Sequence, residues 1–220
     1  MPGGSLLRAG SLLRDTVHMR ARRVGQHGLL VECADAADVA ATYAELRSHA
    51  SELGAADIVP AARTVLLDGL RDREAVESLV QGWVVTPAEA AVAEAPLVEL
   101  PVTYDGPDLD EVARQWKVDP VEVVRRHRET EFVVAFCGFA PGFAYCTGLP
   151  EELAVRRRHE PRAKVPAGSV ALADAFTSVY PMSSPGGWQL IGSTTESVWR
   201  PGAERPALLE PGTRVRFVDA

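Results

Sequence analysis

Residues 132–150 read FVVAFCGFAPGFAYCTGLP. The β-branched and aromatic run Phe132–Phe139 suits a strand, and closely spaced Gly and Pro then break it. The same rhythm continues toward the C-terminus. Val165–Leu172, Ser178–Pro181, Trp188–Gly192, Ser197–Arg200 and Arg214–Val218 are short β-rich pieces separated by turn residues. Many short strands with such punctuation predict a closed or nearly closed barrel.

Working back from residue 132, Leu97–Tyr104 reads as a strand. Asp108–Trp116 and Asp119–His127 read as consecutive short helices, with Asp108 and Asp119 placed as N-caps. Residues 87–96 are rich in Ala, Glu and Pro without a strong period and read as a linker. Before them, Arg20–Cys33 alternates around a Gly25–Gly28 turn, which predicts a hairpin. Asp35–Leu53 carries a helical period, Ile58–Leu67 reads as paired strands, and Arg73–Gln81 as a second helix. Helices on one face of an antiparallel sheet make a small α+β unit over residues 19–86, with the β-barrel over 97–220. Residues 1–18 contain no apolar core of signal-peptide length and are expected to be a disordered extension.

Composition narrows the function classes. A formal charge of −7 over 220 residues disfavours a phosphate-backbone surface, so no nucleic acid is expected. No apolar run reaches the roughly 20 residues of a membrane span. Cys33, Cys137 and Cys146 are odd in number and lack metal-ligand spacing, so they are expected to be reduced thiols of a cytoplasmic protein, with no metal bound.

Three stretches carry candidate chemistry. In 136–150, Gly138, Gly142 and Gly148 permit unusual backbone angles, Pro141 restricts them, and Phe136, Phe139, Phe143 and Tyr145 alternate with the turns. They form either a loop pinned by its aromatics or a pre-shaped pocket wall. In 161–170, PRAKVPAGSV, Arg162 and Lys164 lie two apart and share one side of a strand. With Ala167, Gly168 and Ser169 they suit a carboxylate or phosphate, unless they only form a solvated basic edge beside Arg156–Arg158. In 180–188, YPMSSPGGW, the amides and hydroxyls around Ser183 and Ser184 suit an oxyanion or amide. His127, at a helix end, is either a helix cap or a site histidine. Cys137 and Cys146 lack a paired base and read as small hydrophobes.

GFAPGFAYCTGLP (138–150), PRAKVPAGSV (161–170) and YPMSSPGGWQLIGST (180–194), in this order, resemble the signature blocks of the PxpB/KipI family. This family is also called allophanate hydrolase subunit 1 and is related to the carboxyltransferase half of urea carboxylase. The resemblance runs from about residue 19 to 218 and takes in VGQHGLLVE, AARTVLLD and PALLEPGTRVRFV. It implies an α+β N-terminal domain followed by a mainly-β cyclophilin-like barrel. It also implies a subunit of an ATP-dependent 5-oxoprolinase that opens 5-oxoproline to glutamate with a PxpC-like partner and a PxpA-like protein. Carried over by position, Arg162 and Lys164 would stabilise developing negative charge and His127 would shuttle a proton. Substrate would meet Gly138, Phe139, Pro141, Gly142, Phe143, Tyr145, Pro166, Ala167, Gly168, Ser169, Tyr180, Ser184, Pro185, Gly186, Gly187 and Trp188. The family usually has Gln where this chain has Phe176, Asp where it has Gln26, and Arg where it has Lys164. A regulatory module of the histidine-kinase-inhibitor type and an allophanate- or urea-processing subunit are the alternative readings. Prolyl isomerisation rests on the barrel alone, and fold does not carry function.

Overall fold

The computed structural model describes residues 17–85 and 95–220. Strand β1 (Val17–His18) pairs antiparallel with β6 (Val84–Val85). Val17 and His18, expected to belong to a disordered extension, thus form a strand. Residues 1–16 lie outside the described residues, as do residues 86–94, which make up most of the expected linker.

Strands β2 (Arg20–Val24), β3 (Gly28–Glu32), β4 (Asp57–Pro60) and β5 (Thr64–Asp68) form an antiparallel sheet in the order β2-β3-β5-β4. Helices α1 (Ala36–Ser48) and α3 (Arg73–Gln81) are both started by an Asp. Asp35 accepts from Asp38 N–H at 2.9 Å and Asp72 from Ala75 N–H at 3.0 Å. The helix expected over Asp35–Leu53 breaks at His49, where φ −105° and ψ 14° interrupt the ladder before the short α2 (Ala50–Leu53). Leu29, Val31, Leu46, Val65, Leu67 and Val80 build the core between sheet and helices.

The second sheet has seven strands in the order β14-β11-β12-β9-β8-β15-β7. These are β7 (Leu97–Val102), β8 (Phe132–Cys137), β9 (Ala144–Thr147), β11 (Ser169–Ala173), β12 (Phe176–Val179), β14 (Gln189–Ser193) and β15 (Arg214–Asp219). All neighbours are antiparallel except β15 and β7. The two edges meet where Thr103 and Ser193 exchange both backbone hydrogen bonds, at 2.9 and 2.8 Å. The result is a nearly closed barrel of mixed sheet. Its interior is filled by alternate residues of the strands, among them Leu100, Phe132, Cys146, Leu172, Ile191 and Phe217. Helices α4 (Leu109–Trp116) and α5 (Pro120–Glu129) add Val112, Trp116 and Val123 to this core.

Several expected strands end elsewhere. Val165–Leu172 is two strands, β10 (Arg162–Val165) and β11, because Pro166 and Gly168 (φ 81°) turn the chain between them. Ser197–Arg200 forms only a single bridge, Trp199 to Ala207. Conversely, β9 and β13 (Ser184–Gly186) lie inside stretches read as loops. Strands β10 and β13 pair with each other and cover the outer face of the barrel sheet.

Candidate functional site

The outer face of β8, β9, β11, β12 and β14 is where the three Gly/Pro-rich stretches converge. Alternation along β9 sends Ala144 and Cys146 inward and Tyr145 outward; along β12 it sends Thr177 and Val179 inward and Phe176 outward. The outward residues join Phe143, Val165, Tyr180, Trp188 and Leu190 in a second apolar cluster. Its rings pack mostly edge to face. Phe143 lies 5.1 Å from Tyr180 and 5.3 Å from Trp188, and Tyr145 lies 5.4 Å from Trp188 and 5.6 Å from Phe176. Phe136 stacks on Tyr145 at 4.3 Å. Such contacts rigidify an apolar surface beyond the area they bury.

Phe143, Tyr180 and Trp188 are buried, whereas Tyr145 and Phe176 are half-buried and face the opening. Burial raises the Tyr145 phenol above its ordinary range, so it stays protonated as a donor. Its hydroxyl has no hydrogen-bond partner among the described residues. The hydroxyls of Ser178 and Ser184 are enclosed and likewise unpartnered. The arrangement presents a packed aromatic cluster whose half-buried members, Tyr145 and Phe176, reach the surface with an unpartnered phenol hydroxyl beside them.

The loop that enters this cluster is strained at its tip. Phe139 has φ 66°, Ala140 N–H donates to Gly138 C=O at 2.7 Å, and the Phe139 side chain is 64% exposed. A bulky residue at positive φ is uncommon, and such strain concentrates at working surfaces. Gly186 is required by packing, since a Cβ there would sit 2.2 Å from the Tyr180 hydroxyl oxygen.

Arg162 is placed differently from expectation. Its guanidinium forks onto Asp108, at 2.8 Å to Oδ2 and 2.9 Å to Oδ1. Asp108 also accepts from Arg158 at 3.0 Å and from Leu190 N–H at 2.7 Å, with its side chain only 5% exposed. Asp108 therefore pins β10 and the 158–162 segment to β14, and makes no side-chain cap to α4. Both prongs of the Arg162 guanidinium are engaged by Asp108, so Arg162 positions the loop and leaves Lys164, exposed and without an ion pair among the described residues, as the unpaired cation of this strand. Asp119 also makes no side-chain cap; Pro120 at the first helical position starts α5 instead.

His127 lies away from the opening, inside the barrel core. Thr177 Oγ1 donates to Ala171 C=O at 3.2 Å, so it accepts from His127 Nε2–H at 2.9 Å. Nδ1 is then an acceptor and takes the Tyr104 hydroxyl at 2.9 Å. Phe217 and Phe132 pack on the ring, at 4.4 and 5.1 Å. Burial drives the imidazole down to about 3. A fully enclosed neutral histidine with both nitrogens bonded is a core element, and its geometry does not suit a proton shuttle at the aromatic opening. Burial also pushes Cys137 up to about 11 and raises Cys146 further, which fits inert thiols.

Residues 19–209 match the family described as the carboxyltransferase domain, subdomain C and D. The chain belongs to this family. The B-type subunit of 5-oxoprolinase from Escherichia coli O157:H7 is 47% identical over 148 residues, covering 66% of this chain and 67% of that protein. The crystal structure of TTHA0988 in space group P6522 superposes with a TM-score of 0.73 at 33% identity, over 89% of this chain but only 40% of that one. The Kluyveromyces lactis urea amidolyase superposes at 0.68 with 18% identity, over 92% of this chain and 15% of that protein, a likeness of fold. This carboxyltransferase-family chain thus corresponds to part of a larger protein in both solved structures. No helix among its described residues is long and apolar enough to cross a membrane.

Sequence reading anticipated that Phe143, Tyr145, Tyr180, Ser184, Gly186 and Trp188 gather; the structure places them in one cluster. Gly142 and Gly168 sit at its margins, packed on Trp199 and Thr194, and Pro141, Pro166 and Ala167 are exposed around them. Sequence reading missed the clamp formed by Asp108 and the enclosed hydroxyl of Ser178, whereas Phe176, singled out there as standing in place of Gln, packs against the cluster. The run Arg156–Arg158 followed by Arg162 was the available signal for Asp108, because clustered guanidinium groups on a folded surface need a carboxylate among them.

Proposed function

We propose that this chain is a subunit of an ATP-dependent 5-oxoprolinase-type amidohydrolase, working with a PxpC-like (allophanate hydrolase subunit 2-like) protein and a PxpA-like protein in a hetero-oligomer. The observation that carries the reading is 47% identity to the B-type subunit of a 5-oxoprolinase over 148 residues. Opening a lactam means losing amide resonance. ATP would supply that driving force, its γ-phosphoryl group passing to the carbonyl oxygen with release of ADP, so that water adds to a better electrophile and inorganic phosphate leaves as the lactam C–N bond breaks.

The residues of this chain bind and orient. Phe176, backed by the buried rings of Phe143 and Trp188, packs on the ring methylenes of 5-oxoproline. The Tyr145 hydroxyl donates to the carbonyl oxygen, where negative charge develops. Lys164 attracts the substrate carboxylate, and Asp108–Arg162 holds the strand that carries it. Phe176 replaces the amide usual in the family by an apolar ring, which makes this part of the site a surface for methylenes and leaves the polar recognition to Tyr145 and Lys164.

Co-purification with the PxpC-like and PxpA-like proteins, followed by an ATP turnover assay, tests this reading. The expected result is ATP hydrolysis that requires 5-oxoproline and is not supported by urea or allophanate. An assembled complex whose ATP hydrolysis ignores 5-oxoproline contradicts it.

A further inference from the structure

A cavity of about 800 Å³ opens between α4 and the segment after Val155. Arg114, Arg156, Arg157, Asp110, Glu160 and Gln189 line it. Its charges are unevenly engaged. Glu111 holds Arg114, and Asp108 holds Arg158. Arg156 has no ion pair among the described residues, and Arg157 lies over the Trp188 ring at 5.7 Å with only a 3.7 Å contact to Asp174.

The floor is built more exactingly than the rim. The Arg156 backbone is clamped from both sides, its N–H donating to Gln115 Oε1 at 2.8 Å and its carbonyl accepting from Gln189 Nε2 at 3.0 Å. The second bond fixes the orientation of the Gln189 amide. Gln189 is 3% exposed, and its Oε1 is left enclosed with no donor. A buried acceptor without a partner costs about 1–3 kcal/mol, so this atom awaits an N–H from a ligand.

We infer that this cleft binds an adenine nucleotide, with Gln189 Oε1 accepting from the exocyclic amine and Arg156 and Arg157 taking the phosphates. The volume suits a nucleotide and far exceeds what 5-oxoproline needs. Guanidinium groups match phosphate oxygens in two-pronged geometry. Asp110 and Glu160, without ion pairs among the described residues, balance the arginines, as fits a polyphosphate that carries its divalent cation. The assignment rests on the ATP-dependent reading above and gives it a location. Arg157 lines the cleft and lies over the Trp188 ring of the aromatic cluster at 5.7 Å, so the cleft and the proposed lactam site are neighbours through this one side chain.

Calorimetric titration of the purified chain and of the assembled complex tests the inference, using Mg-ATP, Mg-ITP and magnesium tripolyphosphate. ITP carries a carbonyl where ATP has the amine, so it sets acceptor against acceptor at Gln189. The expected result is ATP binding at least tenfold tighter than either analogue. The double substitution Arg156→Ala, Arg157→Ala should weaken ATP binding at least tenfold at an unchanged melting temperature. No ATP binding, equal affinity for ATP and ITP, or ATP affinity unmoved by the double substitution overturns it. A complex that turns over ATP with 5-oxoproline yet ignores the double substitution sinks the cleft assignment alone. Nucleotide binding at the cleft without 5-oxoproline-dependent turnover sinks the enzymatic reading alone.

Discussion

Inside the barrel, Tyr104, His127, Thr177 and the Ala171 carbonyl form one connected set of hydrogen bonds, in which each donor meets an acceptor. That set needs a neutral imidazole. The folded state holds His127 near 3 while the unfolded chain titrates near its ordinary 6.5, so below about pH 6.5 the unfolded state binds the extra proton. Stability from this residue is complete above pH 6.5 and is lost as pH falls toward 3. We expect the barrel to be about 2 kcal/mol less stable at pH 5 than at pH 7.5 from this one group. Urea unfolding followed by tryptophan fluorescence measures it. His127→Gln, which cannot titrate, should flatten the dependence, and identical slopes in the two proteins would refute the assignment. From sequence alone a histidine at a helix end faces either solvent or core, and only the register of β12 decides which.

At the scale of elements, the candidate site is the outward side of a sheet whose inward side is the core. This was partly legible. The strand expected over Ser178–Pro181 overlaps β12 only at Ser178 and Val179. Strand β15 read as such because Val215 and Phe217 alternate with Arg214 and Arg216, and β8 because its run is β-branched and aromatic. Strands β9 and β13 did not, because each is only three or four residues long and is framed by Gly and Pro, so turn signals outweighed β-propensity. Asp108 was misplaced for a related reason. An Asp ahead of a helix reads as a cap, and nothing local reveals that two arginines 50 and 54 residues on compete for its oxygens. The packing of β13 on the Tyr180 ring gives a test at this scale. Gly186→Ala would drive a methyl into the Tyr180 hydroxyl, 2.2 Å from the new Cβ. We expect a loss of about 1–3 kcal/mol in chemical denaturation, together with weaker ligand binding. Unchanged stability would mean that β13 is not seated as described.

For the whole molecule, the α+β layer and the barrel each have their own apolar core, and the proposed site lies on the barrel. Residue patterns anticipated both cores, whereas substrate class came only from the resemblance of three blocks and then from the family. Geometry redistributed the roles within those blocks. Arg162 and His127 became structural, and the half-buried ring of Tyr145, with its unpartnered hydroxyl, became the polar centre of an aromatic wall. Tyr145→Phe removes that one oxygen and keeps the ring, so it leaves the packing on Phe136, Phe143 and Trp188 intact. Steady-state ATP turnover against 5-oxoproline concentration, in the assembled complex, is therefore the most direct test of where the site lies. We predict that kcat/KM falls about tenfold or more in Tyr145→Phe with assembly unchanged. A variant that turns over 5-oxoproline like the wild type would contradict the placement of the site on this face.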